Sequence, residues 1–217
     1  MLKSFHQAKD PMSSYTHFLG ALLSVLATLI MLSIYRHSGH SDSIIHLSIL
    51  LFGFSLVALY SASCIYHFVV GPDALSIRLR KLDHAMIYVL IAGTYTPICA
   101  KFLSGSARTT FIAAIWGAAL LGIVIKVAWL NAPRWLYTSL YLIMGWALLF
   151  DFDSFRVIPL PCLALIACGG ISYTIGAIIY IAQKPDICKN FGFHEIFHVL
   201  IMIGSAFHIA AVACYVL

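Results

Sequence analysis

Long apolar stretches, separated by short polar ones, run along almost the whole 217-residue chain. A bilayer span needs about 20 mostly apolar residues. On that measure the pattern predicts seven helices, at about 15–35, 45–69, 82–102, 109–129, 134–150, 157–182 and 194–217. The links are short and polar: Arg36 to Ser43, Gly71 to Lys81, Ala132 to Arg134, Asp151 to Arg156 and Gln183 to Phe193. The first run is long, lacks a clear small-residue cleavage site and is followed by further spans, so it reads as a mature helix rather than a signal peptide. No internal repeat or low-complexity tract interrupts the pattern. The expectation is an all-α membrane protein: one seven-helix domain over residues 1–217, with no room for a soluble domain.

Composition strengthens this reading. With 62% hydrophobic and 10% charged residues, the chain has too few charges to coat a water-soluble globule. The formal charge of +5 is thinly spread, with no block of five basic residues, so no nucleic-acid partner is expected. Cys64, Cys99, Cys162, Cys168 and Cys214 lie inside or at the ends of apolar runs, where free cysteine behaves as a small hydrophobe rather than as half of a disulfide framework. The unusual feature is ten histidines against eight carboxylates, because ionisable groups are costly in lipid.

Lys and Arg in short loops set orientation. One side carries Lys3, Lys9, Arg78, Arg80, Lys81, Lys126, Arg134, Lys184 and Lys189; the other carries Arg36, Lys101, Arg108 and Arg156. Nine against four places the N-terminus in the cytoplasm and the C-terminus outside. The second span then ends inward at Ser63-Cys64-Ile65-Tyr66-His67, the third starts inward at Lys81-Leu82-Asp83-His84, and the seventh starts inward at His194-Glu195-Ile196-Phe197-His198. Three distant segments thus bring His67, Asp83, His194 and His198 to one depth, although histidine and aspartate played no part in the orientation.

A single interfacial histidine ordinarily hydrogen-bonds a headgroup or a carbonyl; the convergence is what argues for a metal. His194 and His198, four apart on a helix, project from one face. With His67 they make three protein ligands and leave a fourth position open, as in catalytic zinc sites. Asp83 is placed to hold and deprotonate a zinc-bound water, whose pKa can fall to about 7. Ser63 lies one turn before His67 on the same face, either reaching the site or bonding the carbonyl one turn back. His84, about 100° round the helix from Asp83, is either an interfacial residue or a participant. His208 lies about 15 Å deeper than His198, too far for the same metal but placed to line a cavity leading to it. His17 enters the first span on the same side. His37 and His40 read as solvated loop residues.

His194 to His198 also spells H-E-x-x-H, the zinc-protease signature with Glu195 as general base. Only 19 residues follow it, and the nearby Asp83 comes earlier in the chain rather than later. Negative charge is also favoured at a helix N-terminus, which gives Glu195 a simpler role. Asp83 ranks above it as the base.

Lys81-Leu82-Asp83-His84-Ala85-Met86-Ile87-Tyr88, continuing through Leu90-Ile91-Ala92-Gly93-Thr94-Tyr95-Thr96-Pro97, resembles the signature of the bacterial hemolysin III family, the prokaryotic branch of the progestin and adiponectin receptor superfamily. Ser63-x-x-x-His67, and His194-x-x-x-His198 followed by Gly204, Ser205 and His208, match its two other motifs. The resemblance implies a zinc held by His67, His194 and His198, with Asp83 reaching the metal through water. It also implies a link to hydrolysis of ceramide-like lipids and to membrane lipid homeostasis. Many members begin the first span with E-x-x-N-x-x-x-H, where this chain has Asp10, Ser13 and His17, a departure that leaves the role of that segment open.

The expectation that follows is a multi-pass protein of the cell inner (plasma) membrane, a zinc-dependent lipid amide or ester hydrolase of ceramidase-like type. Asp83 and Ser63 would act on a membrane lipid or acyl-chain substrate; homo-oligomer formation is left open. Two alternatives stand beside it. One is a pore-forming cytolysin, although spans four to six offer almost no ionisable lining except Lys126 near an end. The other is a sensor of membrane state in which zinc clamps the second, third and seventh helices. Imidazole also suits copper, iron and nickel.

Overall fold

The computed structural model describes residues 3–39, 41–188 and 191–217. His40, Lys189 and Asn190 fall outside the described residues, and with them the solvated reading of His40. Eight α-helices follow in order: α1 Pro11–His37, α2 Ser43–Phe68, α3 Asp73–Phe102, α4 Gly105–Ala128, α5 Arg134–Gly145, α6 Phe152–Phe155, α7 Leu160–Ala182 and α8 Phe193–Tyr215. Short 3-10 turns occupy Lys3–Gln7 and Ala147–Asp151. Among the described residues six helices are long and apolar enough to cross a membrane, and α5 with the segment Ala147–Phe155 makes a seventh candidate, bent by 46°.

Neighbours in sequence pack side by side from α1 to α4; α5 touches α3, α4 and α7; α7 packs on α8, and α8 returns to α1. The helices therefore close into a ring, with α3 the most enclosed. Its inner face joins α2 and α4 in a core that includes Phe52, Leu56, Tyr60, Tyr88, Ala92, Cys99, Ile115 and Ala119. The outer wall is the reverse of a soluble protein's. Leu22, Leu26 and Leu29 on α1, and Leu120, Leu121 and Val124 on α4, are exposed at helical spacing. Such a surface is stable only where the surroundings are as apolar as the side chains. All six cysteines are free, in keeping with the small-hydrophobe reading.

Local chemistry explains the helix starts. Pro11 occupies the first position of α1, where its missing N–H costs nothing. At α2 the Asp42 carboxylate accepts from the amides of Ile44 (2.8 Å) and Ile45 (3.4 Å), a side-chain N-cap. Two stretches read as links are instead largely helical. α3 begins at Asp73 rather than near residue 82. Asp73 in its first turn suits the positive end of the helix dipole, and an α-helix satisfies its own backbone, so it runs from the polar edge into the apolar region without a break. The polar stretch 151–156 likewise contains α6.

The fifth predicted span, 134–150, is not continuous: α5 stops at Gly145. The Tyr95 hydroxyl donates to the Gly145 carbonyl (2.7 Å) and accepts from the Leu148 amide (3.2 Å). One phenol on α3 thus satisfies a carbonyl and an amide at the break, as a broken helix in an apolar setting requires. The Trp146 indole N–H donates to Thr174 Oγ1 on α7 (3.0 Å), anchoring the bend on the neighbouring helix. Close approach of α2 and α3 depends on Gly93, where a Cβ would stand 2.4 Å from Ser55 Oγ.

Candidate metal centre

His67 ends α2, and His194 and His198 open α8; their ligand nitrogens all lie within 4.8 Å of one another. The Nε2 atoms of His67 and His194 are 3.2 Å apart. Two nitrogens on one tetrahedral zinc, each at about 2.0–2.1 Å, are separated by about 3.3 Å, so this pair already has the spacing of shared coordination. His67 and His198 are buried and His194 is half-buried.

The remaining ring nitrogens determine which atoms are free to ligate. His67 Nδ1 donates to Asp10 Oδ2 (2.9 Å). That bond leaves the His67 Nε2 lone pair directed at the cluster, the carboxylate–histidine arrangement typical of metal ligands. The bond from His67, reinforced by the positive charge of Lys9, holds the Asp10 carboxyl below its usual range. His198 Nδ1 lies 3.4 Å from Thr16 Oγ1 on α1. Each of the three rings thus offers one nitrogen within 4.8 Å of the others, a grouping that could hold a metal ion. The donor set therefore fits a metal ion, and imidazoles suit zinc among others.

α1 supplies the floor of this centre. Asp10, Ser13 and His17 are spaced i, i+3, i+7, along one side of the helix. Asp10 holds His67; the Ser13 hydroxyl donates to Glu195 Oε1; the His17 ring stacks on His198 with centroids 3.6 Å apart. The backbone joins in, with the Asp10 amide donating to the His67 carbonyl (2.9 Å). The segment that departs from the family's usual residues therefore packs under the site, polar group for polar group. The role of Asp10 was absent from the sequence-based site. Its signal was the helical spacing to His17, visible only once His67 is known to lie opposite.

Asp83, buried on α3, faces the Ser63 hydroxyl and the His67 imidazole. Both Asp83 and Ser63 line a cavity bounded also by His17, His84, His194, His198 and His208. Below the histidines its wall is mostly apolar, with Leu59, Ile87, Leu90, Ile91 and Ile201 among the lining residues. His208 lies in the deep wall, donating from Nδ1 to the Gly204 carbonyl (2.7 Å) and stacked on Tyr173. Beside it the Tyr60 hydroxyl donates to Ser205 Oγ (2.7 Å), which also meets the Tyr173 hydroxyl (2.9 Å). His37 and His46 are exposed and away from this group. Glu195 lies outside the cavity lining: one carboxylate oxygen accepts from Ser13 and the other from the Gly192 amide (2.9 Å). Both oxygens are taken up in capping α8 and tying it to α1.

Fold and centre together define a class: a multi-span α-helical membrane protein with a buried three-histidine cluster, able to hold a metal, at one end of its bundle. Residues 5–209 match the model of the family described as haemolysin-III related. The chain is 33% identical over 195 residues to "Hemolysin-3 homolog" of Bacillus subtilis (strain 168), covering 89% of this chain and 88% of that protein. It is 32% identical over 206 residues to "Hemolysin-3" of Bacillus cereus, covering 94% and 90%. The chain belongs to the haemolysin III family.

Proposed function

We propose that this protein is a zinc-dependent hydrolase of lipid amides or esters, embedded in the plasma membrane with its N-terminus in the cytoplasm, its C-terminus outside and the metal centre near the cytoplasmic leaflet. The observation that carries the reading is the Asp83–Ser63 pair lining the same largely apolar cavity as His194 and His198. His67, His194 and His198 would hold the ion. A bound zinc polarises a carbonyl and activates water.

The chain's own residues do the rest. Asp83 stands beside the cluster as the group that orients water and accepts its proton. The Ser63 hydroxyl hydrogen-bonds the reacting oxygen. Asp10 fixes the His67 tautomer, and His17 packs His198 in place. The apolar wall below admits an acyl chain, so that the carbonyl joining chain to headgroup comes to rest at the centre. Glu195, committed to capping, fits a peptidase base poorly. The motif resemblance to the hemolysin III branch of the progestin and adiponectin receptor superfamily, with the link to ceramide-like lipids that it implies, supports amide lipids as the substrate class.

The test pairs metal analysis of purified wild type and His67→Ala with hydrolysis of a panel of amide and ester lipids. One metal per chain, lost in His67→Ala together with turnover, is the expected result. Metal without turnover of any lipid would remove the enzyme and leave a clamp joining α2 and α8. The relatives' name, hemolysin, favours a second reading, lysis of membranes. Dye release from liposomes that persists in a metal-free His194→Ala/His198→Ala double variant would favour it.

A further inference from the structure

The seam where α3, α4 and α5 meet carries positive charge that no acidic side chain among the described residues balances. Lys126 on α4 is 2% exposed, and among the described residues its ammonium donates to the Leu130 carbonyl (3.1 Å) and lies over the face of Tyr137, 3.4 Å from the ring centroid. Arg80 on α3 donates to that same Leu130 oxygen (3.2 Å) and to Asn131 Oδ1 (2.9 Å). Two cations thus converge on one carbonyl oxygen. Ion pairs among the described residues join Lys9 and His67 to Asp10 and Arg156 to Asp153; none reaches Arg80 or Lys126. An enclosed charge without a counter-charge is expensive, and in a membrane protein it marks a partner or a pathway.

A second, independent feature points to the same place. Arg80, His84 and Tyr88 follow one another at i, i+4, i+8 on α3. Each has a buried polar atom without a hydrogen-bond partner: Arg80 Nε, His84 Nδ1 and the Tyr88 hydroxyl. Across the seam on α5, the hydroxyl of Thr138, 3% exposed, is also unpartnered. Of the residues with orphaned buried side-chain groups among those described, all but His17 lie on this seam. Buried polar groups ordinarily find partners, so a cluster of orphans marks a place built for a bound molecule. The His84 ring lies against Tyr137 (5.6 Å), and His84, Tyr137 and Thr138 all line the cavity that reaches the metal centre.

We propose that the α3–α4–α5 seam is a binding site for the phosphate of an anionic phospholipid headgroup, held by Arg80 and Lys126 with His84 and Thr138 as hydrogen-bonding partners. Basic pockets between membrane helices at the headgroup level recognise such lipids. Arg80 sits at the polar start of the third span, which gives the required depth. The site stands on its own cations and orphans, and its test reads neither metal nor turnover.

The experiment uses the full chain in detergent micelles, titrated with phosphatidylglycerol or with phosphatidylcholine of the same acyl chains, and counts retained lipid by native mass spectrometry. Wild type is expected to retain phosphatidylglycerol in preference, and Lys126→Met or Arg80→Gln to weaken that binding about fivefold each, leaving phosphatidylcholine unchanged. Arg80→Gln, at a half-buried position, provides the readout if Lys126→Met fails to fold. Equal retention of the two lipids by wild type, or an undiminished preference in Arg80→Gln, would overturn the proposal. Inorganic phosphate is the remaining arm. Displacement of phosphatidylglycerol at comparable concentration would assign the seam to free phosphate and remove the lipid, whereas resistance to displacement supports the lipid.

Discussion

Asp10→Ala tests how much of the candidate metal centre lies outside its three histidines. The substitution removes the acceptor for His67 Nδ1, a 2.9 Å bond, and frees the imidazole to change tautomer and rotate. Loss of such an outer partner costs about 10–100-fold in metal affinity. The Asp10 side chain is 43% exposed while that of His67 is 5% exposed. Water therefore screens the carboxylate and can replace part of its bond, which places the effect at the low end. The expected loss is about tenfold, or roughly 1.4 kcal/mol.

The assay is competition for zinc against a chelator of known affinity at neutral pH, with thermal unfolding of the metal-free protein run alongside. Asp10→Asn keeps an acceptor oxygen but not the charge and is expected to fall between wild type and Asp10→Ala. Unchanged zinc affinity in Asp10→Ala would refute the reasoning. So would an affinity loss fully matched by collapse of the metal-free fold, because Asp10 would then be acting only through packing.

Three further outcomes follow from the geometry. Tyr95→Phe removes the phenol that serves both the Gly145 carbonyl and the Leu148 amide, and should cost about 1–3 kcal/mol in thermal or denaturant unfolding; a loss within error would mean those groups find other partners. Gly93→Ala drives a Cβ to 2.4 Å from Ser55 Oγ and should cost about 1–3 kcal/mol, relieved in part by Ser55→Gly, so that the two changes are non-additive in a double-mutant cycle. Glu195→Gln keeps an acceptor oxygen for the Gly192 amide and turns the other oxygen into an NH2 that can donate to the Ser13 hydroxyl, and should leave metal content, and any lipid turnover, within a few-fold of wild type; abolition of turnover with metal retained would restore Glu195 as a base.

The run lengths of apolar residues, and the scarcity of charge between them, specified a multi-span helical protein before any coordinates. A bilayer leaves the backbone no partner but itself, which makes a multi-span helical architecture readable from composition. The metal cluster was legible for a related reason. His194 and His198 share a helix face by spacing alone, and the alternation of spans put His67 and Asp83 at the same end of the bundle. What no local pattern carries is the pairing of side chains across helices. Asp10 reads as a loop carboxylate until α1 packs beside α2 and sets it against His67. Lys126 reads as a helix-end charge until α4, α3 and Tyr137 enclose it. The break after Gly145 depends on a tyrosine fifty residues earlier, on another helix. Burial and hydrogen-bond partners arise only when faces meet, so the sequence determined that the apolar runs form helices and which helix ends carry the histidines, and the tertiary structure decided where the fifth run breaks, what supports the histidine cluster and where positive charge is left unbalanced.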